Sequence, residues 1–156
     1  MQIVLLSIGK TSENYLVSGQ SEYLKRLKKY CKFSVEELPG IKGKKLSKQE
    51  LMKKEDELFL RFIKSEDTVI LLDDKGKNYT SIEFSKYIES LMVHARGRLL
   101  FVIGGAYGFS DTMRSRYKTK LSLSTMTFSH QIIRLIFLEQ IYRAFTILNN
   151  DPYHNE

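Results

Sequence analysis

The chain has 156 residues and a mass of 18.2 kDa, a length suited to one domain, and 42% hydrophobic with 12% aromatic content supplies a core that a disordered chain lacks. Twenty-five Lys and Arg against eighteen Asp and Glu leave a net charge of +7, which points to an acidic partner. No apolar run approaches the roughly 18 residues of a membrane span, and a lone cysteine, Cys31, excludes an internal disulfide framework and a cysteine-built zinc site.

Met1 opens directly into Gln2–Ile8, an apolar strand without a basic leader flank, so a reduced, cytoplasmic setting is expected. Residues 13–32 carry Tyr15, Leu16, Tyr23, Leu24, Leu27 and Tyr30 at helical spacing. Phe33–Leu38 reads as a short strand that Pro39-Gly40 ends. Ser47-Lys48-Gln49-Glu50 is a capping-box pattern opening a helix to Lys64. Thr68–Leu72 is a buried strand, Ser81 caps a helix to Ala95, and residues 98–103 form a further buried strand. A short helical turn at 111–116, a strand at Leu121–Ser124 and a long helix from Ser129 to Leu148 complete the chain. Continuous apolar strands separated by helices predict an α/β domain over residues 1–156, a mostly parallel five-stranded sheet with helices on both faces.

The charge is concentrated. Eleven basic residues, Lys42, Lys44 and Lys45 among them, lie between Leu24 and Lys54 against three acidic ones, giving that stretch +8 and the remainder about −1. A solvated helix face with a loop explains such a run, and so does a landing surface for nucleic-acid phosphates. Lysine dominance favours attraction without base reading.

Ligands bind parallel sheets beyond the carboxyl ends of their strands, so the loops there carry the search for function. Gly104-Gly105-Ala106-Tyr107-Gly108 follows a buried strand, and its glycines permit either close approach to a ligand or a plain turn. No Lys-Ser or Lys-Thr pair follows them, which excludes a Walker loop, and a single glycine after the first strand argues against a dinucleotide fingerprint.

Five segments in order carry a resemblance: Leu72-Asp73-Asp74-Lys75-Gly76-Lys77, Phe101 through Gly108, Leu121 through Gln131, Glu139-Gln140-Ile141-Tyr142-Arg143-Ala144-Phe145, and Pro152-Tyr153-His154. With them the chain resembles the small bacterial SPOUT-superfamily methyltransferases, and more closely the methyltransferases that act on N3 of a pseudouridine in large-subunit (23S) ribosomal RNA. The resemblance runs from Ile3 to His154. It implies a C-terminal trefoil knot, a homodimer, and S-adenosyl-L-methionine held bent in the knot. By position, cofactor contacts are implied at Leu72, Gly104, Leu123, Ser124, Thr125, Met126, Thr127 and Phe128. The implied partner is ribosomal RNA, as the assembled ribosome rather than naked RNA, with no membrane involved. A non-catalytic basic module docking on the ribosome is the rival reading.

Methyl transfer from a sulfonium to a ring nitrogen is an in-line displacement needing no metal, in which the protein supplies positioning and removal of the N3 proton. His94 reads as a surface residue. His130 opens the last helix beside the implied cofactor loop, where packing and proton handling both fit. Tyr153 and His154 sit on a short tail after Pro152, suited to a segment that closes over substrate. Arg143 either pairs with Glu139 one turn away or, by resemblance, acts near substrate, supplied from the second subunit. His130, Arg143, Tyr153 and His154 are therefore the catalytic candidates. Asn155 brings no positive charge where members of that family often carry a basic residue, which weakens the case for phosphate contact by the extreme C-terminus and leaves it open. The last helix is apolar around more than one face, which predicts burial on two sides and a dimer interface.

Overall fold

The computed structural model describes residues 1–42 and 45–154; Lys44 and Asn155 lie outside the described residues. β1 (Gln2–Ile8) is buried from Ile3 onward because strands flank it on both sides. The sheet order is β2 (Lys32–Leu38), β1, β4 (Leu99–Ile103), β3 (Thr68–Lys77), β5 (Lys120–Leu121), and all four pairings are parallel. Ile3 stands beside Phe33 and Leu99, and Leu72 beside Ile103.

Period-two alternation along these strands sorts the core into two layers. Ile3, Leu5, Ile70, Leu99, Phe101 and Ile103 pack with α1 (Asn14–Leu27), α3 (Ser81–His94) and α5 (Ile132–Leu148). Val4, Leu6, Ile8, Val69, Leu71, Leu100 and Val102 pack with α2 (Lys48–Phe62) and α4 (Asp111–Arg116). Helices thus cover both faces, as continuous apolar strands require.

Several boundaries differ from the sequence reading, each for a local reason. The cap of α3 is Thr80, not Ser81: Thr80 Oγ1 accepts from Glu83 N at 3.2 Å while Glu83 returns to Thr80 N at 2.8 Å. α1 stops at Leu27, where Tyr30 N donates to Leu27 O at 2.9 Å, and Cys31 falls in the connection to β2 rather than in a helix. Burial pushes the Cys31 thiol up to about 11, so it is chemically quiet. The largest change is β3, which runs on past Leu72 to Lys77. Leu72 and Lys77 both pair with Leu121, and residues 73–76 bulge between them. Gly76 makes this possible, because a Cβ there would lie 2.5 Å from the Leu121 carbonyl carbon. β5 is correspondingly short. Ser122 leaves the sheet to donate N–H to Lys77 O at 3.0 Å and to accept from Asn78 Nδ2 at its carbonyl, 3.1 Å.

α5 starts at Ile132, after a turn in which Ser129 Oγ accepts from Ile132 N at 3.3 Å. Most of its apolar girth is explained inside the chain, because it lies on the sheet between α1 and α3. Ile132, Leu135 and Ile136 near its start remain half-buried, close in sequence to the exposed Met126 and Phe128.

Arg134 ties this helix to the strand ends. Its side chain is fully buried. Nη2 donates to Ile8 O (2.8 Å), Nη1 to Gly9 O (2.9 Å), Thr11 Oγ1 (3.0 Å) and Glu37 Oε1 (3.0 Å), and Nε to His130 O (3.0 Å). A buried guanidinium is tolerated only when its donors are so engaged. Arg134→Ala is expected to lower the urea-unfolding free energy by about 3 kcal/mol or more, because three carbonyls lose their donor beside a new cavity. Arg134→Lys should recover less than half, since one ammonium cannot span these acceptors. A loss below about 1 kcal/mol for the alanine variant would contradict the assignment.

Candidate functional site

The carboxyl ends of β3, β4 and β5 open into a cavity of about 600 Å³, within the usual range for small-molecule sites. Three segments far apart in sequence wall it: Leu72–Asp74, Ile103–Phe109 and Leu121–His130. Of the residues marked as cofactor contacts, Leu72, Gly104, Leu123, Ser124, Met126, Thr127 and Phe128 line it, and Thr125 does not. His130 borders it; Arg143, Tyr153 and His154 do not.

The polar segment 122–126 holds its shape by short-range bonds. Ser122 Oγ donates to Ser124 O at 2.8 Å, and Ser124 Oγ accepts from Met126 N at 2.9 Å. The glycine loop is equally self-supported: Gly108 N donates to Gly105 O at 3.0 Å. A Cβ on Gly104 would meet the Gly108 carbonyl carbon at 2.7 Å, so the close approach at 104 is between the two ends of the loop. Positive φ is confined here to Gly108, at 74°.

Sequence reasoning passed over two charged groups in this cavity. Asp73 follows the apolar run Thr68–Leu72 and Arg114 belongs to the short helix at 111–116, and they form an ion pair at 2.6 Å on the cavity wall. Arg114 follows the glycine loop by only a few residues, which was the available signal. The Arg114 guanidinium, after the cost of burial, holds Asp73 below the ordinary carboxylate value. His130 is half-buried; burial first, then the Arg134 guanidinium, lower its pKa below 6.5 and keep it neutral.

The other three candidates form a second cluster. Arg143 Nε donates to Glu139 Oε1 at 3.0 Å, so the one-turn ion pair, the alternative to a role near substrate, is present. Tyr153 Oη donates to the same Glu139 oxygen at 3.2 Å and lies 3.3 Å from Tyr23 Oη. Arg143 Nη1 is 3.2 Å from His154 Nδ1, and since arginine can only donate, that nitrogen is the acceptor. Asp151 anchors the tail to Lys29 at 3.0 Å and to the Tyr30 hydroxyl. The tail is thereby packed on α1 and α5 instead of fraying. Tyr23 and Tyr30, which sequence marked only as apolar helix positions, are its floor.

α5 descends from the cavity, and Arg143 lies eleven residues, about 16 Å, beyond Ile132 along its axis. One chain therefore presents two separate clusters. Lys25, Lys28, Lys42, Lys45, Lys48, Lys53 and Lys54 are exposed on α1 and just after it, in the segment between β2 and α2, and on α2. They lie on both faces of the sheet rather than forming one surface, and Lys48 of α2 stands 5.5 Å from the ring centre of Tyr107, itself on the cavity wall. His94 ends α3, exposed, with Nδ1 at 2.8 Å from Ser90 O. Among the described residues no three His, Cys, Asp or Glu side chains are grouped to hold a metal ion, and no helix is long and apolar enough to cross a membrane.

A family model described as "Predicted SPOUT methyltransferase" matches residues 1–154. A Parabacteroides distasonis protein named ribosomal RNA large subunit methyltransferase H is 52% identical over the full length of both chains. A Flavobacterium johnsoniae protein of the same name is 47% identical, again over both full lengths. Among solved structures, the tRNA (m1G37) methyltransferase of Aquifex aeolicus aligns with all of this chain and 76% of its own at a TM-score of 0.53. Its identity is only 16%, so that likeness bears on the fold alone.

The neutral state of His130 has a measurable consequence. Its folded pKa is depressed, so between that value and 6.5 the unfolded chain binds more protons, and stability falls as pH drops through this window. His130→Gln is expected to flatten the fall in unfolding free energy between pH 7 and 5 relative to the parent, measured in urea at a series of pH values. Parallel curves for the two proteins would show that His130 is not depressed.

Proposed function

The chain belongs to the SPOUT methyltransferase family, whose cofactor is S-adenosylmethionine, and from this premise we propose that it methylates large-subunit ribosomal RNA. The finer reading is methylation of N3 of a pseudouridine on the assembled ribosome, by a cytoplasmic homodimer of one-domain subunits with a knotted C-terminal part. The observation that carries it is the convergence of segments 72–74, 103–109 and 121–130 on one cavity at the carboxyl edge of a parallel sheet.

The residues present suit the cofactor. Leu72, Ile103, Leu123 and Ile133 give the cavity an apolar wall for a flat heterocycle, and Asp73, Asp74 and Arg114 give it a charged one for an aminoacyl chain. When bound, S-adenosylmethionine supplies an activated methyl group and a good leaving group. The chain's own task is then orientation and proton handling. His130, neutral and bordering the cavity, takes the N3 proton as the ring nitrogen attacks. Arg143, Tyr153 and His154 orient the nucleotide.

Because the two clusters stand about 16 Å apart along α5, the tail that completes a site comes from a second copy. The half-buried Ile132, Leu135 and Ile136 with exposed Met126 and Phe128 supply an apolar surface for that pairing. The exposed lysines of α1, of α2 and of the segment before α2 attract the ribosome from a distance.

Transfer of labelled methyl from S-adenosylmethionine to assembled ribosomes, free large subunits and naked RNA tests the reading. Incorporation is expected with ribosomes and strongly reduced with naked RNA; none into any of the three would favour the non-catalytic docking module. Arg143→Ala is expected to reduce methylation by roughly a hundredfold or more while leaving dimerisation and cofactor binding intact. Near wild-type turnover would reduce the Arg143–Glu139 pair to a structural one.

A further inference from the structure

α4 begins directly after the glycine loop, capped by Ser110 Oγ, which accepts from Met113 N at 3.1 Å. Met113 is fully buried and anchors the helix in the core beneath the sheet. The next side chain, Arg114, is thereby turned to the end of β3. Its Nε donates to Asp73 Oδ2 at 2.6 Å and its Nη2 to Asp73 Oδ1 at 3.4 Å, while Lys75 N donates to Oδ1 at 3.0 Å.

The pair is asymmetric. The Asp73 side chain is 1% exposed and Arg114 is 21% exposed, so the acid is sealed behind an arginine whose outer edge faces the cavity that both line. Nη1 donates to no group among the described residues. Among the described residues Arg114 is also the one cation lining the cavity, since Lys75 and Lys77 are not part of the wall and His130 is neutral. An arginine locked on one side by a buried carboxylate presents its remaining donors in a fixed direction, at small entropic cost for a second acceptor.

We propose that Arg114, positioned by Asp73, binds the α-carboxylate of the cofactor's aminoacyl chain and so fixes which end of the cavity receives the amino acid and which the adenosine. This rests on the S-adenosylmethionine reading of the cavity. Asp73 and Asp74 suit the α-ammonium but repel the α-carboxylate, so without Arg114 the carboxylate has no partner on this side.

The test compares three probes by titration calorimetry: S-adenosylhomocysteine, its decarboxylated analogue, and 5′-methylthioadenosine, which lacks the amino acid. The parent chain is expected to prefer S-adenosylhomocysteine over the decarboxylated analogue by roughly ten- to a hundredfold, the range for a hydrogen bond between charged groups. Arg114→Met should lose that preference and leave affinity for the decarboxylated analogue unchanged; Arg114→Lys, which keeps a cation against Asp73, should restore part of it. Equal weakening of both ligands in Arg114→Met would make Arg114 a mere brace for β3 and overturn the proposal. A parent chain that does not distinguish the two ligands overturns it without any variant, so poor folding of Arg114→Met leaves the question decidable. Failure of all three probes to bind would instead remove the cofactor reading itself, and the proposal with it.

Discussion

One buried guanidinium holds the working end of this molecule together. Arg134 belongs to the first turn of α5, yet its donors reach the last carbonyls of β1, the hydroxyl of Thr11 and the carboxylate of Glu37 on β2. Through Nε it also fixes the carbonyl of His130, the residue at which the cavity wall passes into the helix. Desolvating an arginine costs several kcal/mol, and the structure offsets that only by engaging its three nitrogens. The entry angle of α5 is therefore set by the strand ends. With α5 so placed, segment 121–130 must cross the carboxyl edge of the sheet, where Gly76 admits Leu121 against the extended β3.

This arrangement accounts for the separation of the cavity from the tail cluster along the chain. Helices that follow parallel strands run back toward the amino edge of the sheet, so α5 carries its first turn into the cavity and its last turns away from it. Glu139, Arg143 and the folded tail are consequently gathered on α1, against Tyr23 and Tyr30. Neither cluster changes the other's geometry within one subunit. A second copy is the economical way to bring tail and cavity together, and symmetric pairing would build two such sites at once. The exposed lysines lie on both faces of the sheet, and the cavity wall itself carries Asp74 beside the Asp73–Arg114 pair.

Much of this was legible in the sequence. Runs such as Leu99–Ile103 are apolar at every position, and only a strand covered on both faces buries them all. The Ser47 capping box announced α2 because its geometry is wholly local. The motif at 121–131, read with the glycine loop and the closing helix, pointed to the family now supported by a match over residues 1–154. What stayed hidden depends on distant partners. Asp73 through Lys77 has the composition of a turn, and it continues as strand because Leu121 lies beside it. Arg134 looks like an ordinary surface arginine until the ends of β1 and β2 are placed around it. Arg114 likewise acquires a role only when β3 sets Asp73 opposite.

The proposed division of each site between two subunits is tested most directly by complementation. Gly104→Val, which forces the glycine loop apart, is mixed and re-paired with Arg143→Ala, and methyl transfer to ribosomes is followed. Each variant alone should be close to inactive. Random re-pairing should restore about a quarter of parental activity, because half of the dimers then carry one intact site. Activity no greater than the sum of the two separate variants, with mixed dimers demonstrably formed, would place cavity and tail in the same subunit and contradict the account.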